Sequence, residues 1–82
     1  MNELDLDATL RALIAKLAPE ADLASLDPGE DLRDALDLDS MDYLNLVRAV
    51  KRELGVDIPE ADYKQARSLT TLAAYVASRR GG

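Results

Sequence analysis

Ser40 lies in the run Leu36-Asp37-Leu38-Asp39-Ser40-Met41-Asp42, after a loop and at the start of an amphipathic helix, in a chain that has neither Cys nor His. A serine at a helix start has its hydroxyl exposed beside backbone N–H groups that the helix leaves unpaired. Those donors and the helix dipole favour negative charge, so the position suits a covalently attached phosphate. The chain has no thiol and no imidazole of its own. If it does thiol chemistry, the sulfur must be attached afterwards, and Ser40 is the natural attachment point. A serine that only hydrogen-bonds the first turn is the plainer alternative, and Asp39 beside it reads first as a helix cap.

The same inventory closes off other chemistry. A Ser-His-Asp hydrolase is excluded because there is no His, and a Cys nucleophile or Cys/His zinc site lacks its residues. The acidic stretch Asp37 to Asp42 departs from the calcium-loop pattern at Met41 and Asp42. No catalytic residue and no metal site are expected.

With 82 residues the chain forms one domain at most, with a thin core built on Leu, Val and Ala, since the aromatics are Tyr43, Tyr63 and Tyr75 alone. The net charge of −6 argues against nucleic acid and anionic membrane partners. Residues 1–42 hold twelve acidic and three basic side chains, whereas 43–82 hold four acidic and seven basic, so the negative field surrounds and precedes Ser40. There is no signal-peptide pattern and no apolar run long enough to span a bilayer, so a cytoplasmic protein is expected.

The elements that must position Ser40 follow from periodicity. Leu6, Leu10, Leu13, Ile14 and Leu17 predict a first helix over about 7–18, capped by Asp5 or Asp7 and stopped by Pro19. A long connection to Asp39 carries the turn Asp27-Pro28-Gly29, and its leucines at 23, 26, 32, 36 and 38 should pin it to the core. The second helix, 40–54, should start with the capping pair Asp39 and Asp42 and end at Gly55 in a left-handed cap. Tyr43, Leu46, Val47, Val50 and Leu54 form its core face, while Met41, Leu44, Asn45, Arg48, Lys51 and Arg52 face outward. Pro59 opens a short third helix over 59–66, and Ser68 caps a last one over 69–78, with a tail from Ser78 that should fray. Three main helices and one short one make an all-α bundle.

These residues resemble the acyl carrier protein family. Asp39-Ser40-Met41 matches the core of its Gly-x-Asp-Ser-Leu-like motif, with Met41 in the Leu position, and Leu36 and Leu38 match the apolar positions before it. Gly55-Val56-Asp57-Ile58-Pro59 resembles the family's segment between its second and third helices, and Ser68-Leu69-Thr70-Thr71-Leu72 the entry to its last. The likeness runs from Leu6 to Val76. It implies a small four-helix bundle of acyl-carrier type, one carrier domain over 1–82, with a long first loop and a short third helix. It implies that Ser40 carries covalent 4′-phosphopantetheine, placed there by a phosphopantetheinyl transferase that also contacts Asp39, and that the chain is a carrier and not an enzyme. The further partners it implies are an acyl-activating ligase, a ketosynthase or an acyltransferase, met through the surface of Met41, Leu44, Asn45, Arg48, Lys51 and Arg52; a stand-alone monomer is expected, with an excised domain of a larger synthase the alternative.

Three positions depart from the pattern: Asp37 stands where a Gly is usual, Asn45 where Glu is common, and Arg48, Lys51 and Arg52 make basic a surface that is typically acidic. Reversed charge weakens encounters with basic synthase patches and points to a specialised lipid or secondary-metabolite pathway. An aminoacyl or peptidyl carrier is the alternative cargo class. An unmodified helical adaptor, docking through Met41 and Leu44, is the alternative of another kind.

Overall fold

A computed structural model describes residues 3–80 of the chain. Helix α1 (Glu3–Leu17) leads through a 3₁₀ turn (Leu23–Ser25) to the single-turn α2 (Leu32–Ala35), then to α3 (Ser40–Leu54), a 3₁₀ helix (Glu60–Ala66) and α4 (Leu69–Arg80). No strand forms among the described residues, and the one isolated bridge joins Asp31 to Ser68. The architecture is the all-α bundle expected from the pattern.

Helix α1 packs against both α3 and α4, and the 3₁₀ helix packs on α4. Leu6, Leu10, Leu13 and Ile14 enter the core from α1, with Leu46, Val50 and Leu54 from α3 and Leu69, Leu72 and Val76 from α4. Val56 and Ile58 continue it beyond Gly55, whose φ of 71° is the left-handed cap that ends α3. The buried stripe of α3 also takes in Ala49.

Four sequence expectations need correction. Helix α1 is already helical at Glu3, the first described residue, so Asp5 and Asp7 lie inside it and not at its cap. Carboxylates in the opening turns suit the positive end of the dipole, and Asp7 pairs with Arg11 one turn on at 2.8 Å. The long connection is pinned by its leucines as expected, with Leu32 and Leu38 buried and Leu23, Leu26 and Leu36 half-covered, but it also holds a 3₁₀ turn and α2. The third element is a 3₁₀ helix from Glu60, with Pro59 extended ahead of it (ψ 154°). The expected fraying from Ser78 lies partly outside the described residues, but Ser78 and Arg79 are helical. Arg79 approaches Asp62 at 3.3 Å and sits 4.7 Å from the Tyr75 ring centroid, while the Tyr75 hydroxyl donates to the same Asp62 carboxylate. These contacts tie the 3₁₀ helix to the end of α4.

Candidate functional site

The approach to Ser40 is a short, tightly determined path. Asp37 takes a φ of 53°, the left-handed turn at the position where glycine would be easiest. Asp is among the few residues that enter this region without large cost, because its short side chain is compact and polar. The turn sends Leu38 into the core, where it is 8% exposed, and the Leu38 N–H closes on the Arg33 carbonyl at 2.9 Å. Asp39 then returns the chain to the surface in extended conformation.

Asp39 caps α3. Its Oδ1 accepts the Asp42 N–H at 2.8 Å, and Asp42 Oδ2 accepts the Asp39 N–H at 3.4 Å. Both carboxylates are thus engaged with backbone. Ser40, the first helical residue, is exposed. Its N–H lies in the first turn, where the helix provides no carbonyl partner.

Behind the serine, α2 is fixed to the beginning of α4. Asp31 caps α2 by accepting the Arg33 N–H at 2.8 Å, and the Leu32 N–H donates to the Arg67 carbonyl at 2.7 Å. The Thr70 N–H donates to the Pro28 carbonyl at 2.9 Å, and Ser68 caps α4 by accepting the Thr71 N–H at 3.0 Å. From this base the Arg33 guanidinium reaches forward, donating from Nη2 to Ser40 Oγ at 3.3 Å. Arg33 was not singled out in the sequence. The signal was there, since it is the sole cation among seven carboxylates between Asp27 and Asp42.

Inward of the serine, Tyr43 is buried and stacks edge-on with Tyr63 at 5.3 Å between centroids. Burial, followed by the neighbouring Tyr63, pushes the Tyr43 hydroxyl up to about 12. On the outer face of α3, Met41 is 59% exposed, and Asn45, Arg48, Lys51 and Arg52 are exposed with it. Leu44 differs from expectation: it is half-buried, because it falls on the flank of the buried stripe and not opposite it. Among the described residues no helix is long and apolar enough to cross a membrane, and no group of three or more acidic side chains is placed to hold a metal ion.

The capping, turn and anchoring contacts of the helical bundle thus surround an exposed serine hydroxyl at the start of α3. Residues 8–76 match the phosphopantetheine attachment site family, and the chain belongs to it. No curated protein matches the chain significantly. Members of the family bind 4′-phosphopantetheine covalently and are carriers, not catalysts. The chain is accordingly a carrier protein that works with a modifying transferase and with biosynthetic enzymes.

Proposed function

We propose that Ser40 Oγ is the atom that carries 4′-phosphopantetheine, and that the chain acts as one carrier domain for acyl intermediates in a specialised lipid or secondary-metabolite pathway. The observation that carries the assignment is the exposure of Ser40 at the first position of α3, with both flanking carboxylates turned to backbone N–H groups. An incoming phosphate therefore meets an exposed oxygen, first-turn amides and the Arg33 guanidinium that already donates to that oxygen. When bound, the group supplies the terminal thiol on which cargo is held as a thioester. The protein's share is positional. The Asp39–Asp42 box fixes the first turn, buried Leu38 fixes the approach, and Asp39 also offers a contact for the transferase. Tethering replaces free diffusion of cargo with a local search, which raises its effective concentration at each partner's site.

The exposed cations Arg48, Lys51 and Arg52, with Met41, half-buried Leu44 and Asn45, support docking to partners bearing an acidic patch rather than to basic ones. An acyl-activating ligase, a ketosynthase or an acyltransferase of a dedicated cytoplasmic pathway fits that description, served by a monomeric carrier. Incubation with coenzyme A and a broad-specificity phosphopantetheinyl transferase tests the site. Intact mass should rise by one phosphopantetheine, and Ser40→Ala should abolish the gain. A wild-type chain that stays unmodified while a control carrier is loaded would favour the adaptor reading instead.

A further inference from the structure

We propose that Arg33 grips the phosphodiester of the group carried at Ser40 and so sets the direction in which the arm leaves the protein. The inference rests on attachment at Ser40. It starts from an imbalance: between Asp27 and Asp42 the chain holds seven carboxylates and a single cation. That cation would be expected to pair with one of them. Among the described residues Arg33 forms no ion pair, and its Nη2 instead meets an uncharged hydroxyl, Ser40 Oγ, at 3.3 Å.

The match between the two groups is poor as it stands. A guanidinium is a planar fork of five donors suited to two parallel anionic oxygens, and one neutral hydroxyl uses little of it. Transfer from coenzyme A breaks its pyrophosphate bond, forms the Ser40 Oγ–P ester, and releases adenosine 3′,5′-bisphosphate and the serine proton; two non-bridging phosphate oxygens, sharing one negative charge, then lie within a bond or two of the atom Arg33 already touches. A charge-assisted, bidentate contact then becomes available without moving α2. The need for it is electrostatic. A further anion set among Asp37, Asp39 and Asp42 is repelled, and Arg33 offsets that repulsion locally. The anchor is firm, because Leu32 beside it is fully buried and α2 is bonded to Arg67 and bridged to Ser68. Arg33 is therefore a positioning residue. It acts on the arm's fixed end and leaves the thiol end free to travel.

The test loads wild type, Arg33→Gln and Arg33→Lys with coenzyme A and transferase, checks each by intact mass, and compares loaded with unloaded protein. In wild type, loading should shift the Arg33 Nε–Hε resonance and slow its proton exchange. The phosphorus resonance should differ between wild type and Arg33→Gln, with Arg33→Lys between them. Loading should lower Tm a few degrees more in Arg33→Gln than in wild type, and roughly 1 M salt should close the gap. An Arg33 signal indifferent to loading would overturn the proposal, as would equal loading shifts of Tm in wild type and Arg33→Gln. Should Arg33→Gln fail to fold, the wild-type arginine signal decides alone. A wild-type chain that gains no mass would instead defeat the assignment of Ser40, so the two failures are distinct.

Discussion

The Tyr43 hydroxyl donates to the Ala66 carbonyl at 2.8 Å, linking the opening turn of α3 to the last residue of the 3₁₀ helix across 23 positions of sequence. Both residues are buried, so the bond is shielded from water. Tyr43→Phe keeps the ring and the edge-on contact with Tyr63 but leaves that carbonyl without its donor. The expected cost is about 1–2 kcal/mol, read as a lower urea midpoint at unchanged slope. Loading at Ser40 should persist, because the serine is held by Asp39, Leu38 and α2 and not by this bond.

The same hydroxyl gives the protein an alkaline limit. Its value is raised from 10.0 to about 12, with burial the main cause, so the folded state keeps a proton that the unfolded chain releases first. The folded state then binds more protons than the unfolded one across that interval, and stability falls as pH rises. The contribution is intact below about pH 10 and is lost progressively up to about pH 12. Denaturation followed from neutral to strongly alkaline pH should show this decline in wild type, and a shallower one in Tyr43→Phe.

Asp37 sits at φ 53° with its side chain exposed. Glycine relieves the left-handed conformation at the expense of a freer unfolded chain, so Asp37→Gly should be neutral or stabilising by up to about 1 kcal/mol. A β-branched residue cannot enter this region cheaply, and Asp37→Val should destabilise by about 1–2 kcal/mol. Thermal melts of the two variants beside wild type check both signs.

The cations of α3 can be reversed together. Arg48, Lys51 and Arg52 are exposed, so replacing all three by Glu should preserve the fold. Lys51 and Arg52 occupy the last turn, however, where positive charge complements the carbonyl end of the helix. Reversal there should lower stability by about 1 kcal/mol in total. Acyl transfer from an acidic partner should slow at least tenfold at low salt, and added salt should narrow the gap to wild type by screening both the lost attraction and the new repulsion. Unchanged transfer rates with every identified partner would remove this face from the docking surface.

The sequence disclosed most clearly what depends on local pattern. The core face of α3, its Asp39–Asp42 cap and its Gly55 terminus are written in spacing and residue type, and so is the placement of Ser40 at the first helical position. Elements that depend on distant partners were harder to see. Helix α2 is a single turn with no periodicity to detect, and it exists because Leu32 is buried and Arg67 and Ser68 meet its entrance. The segment Glu60–Ala66 is likewise held from outside, by the Tyr43 hydroxyl at Ala66 and the Tyr75 hydroxyl at Asp62. The place of Arg33 at Ser40 is hidden for the same reason, since it follows from where α2 is fastened and not from the six residues between them.

The bridge from Asp31 to Ser68 joins stretches that lie on either side of α3 in the chain. What aims the serine is therefore fastened to a part of the polypeptide that emerges from the ribosome after it. A chain ending before Arg67 would lack both that bridge and the carbonyl that accepts the Leu32 N–H.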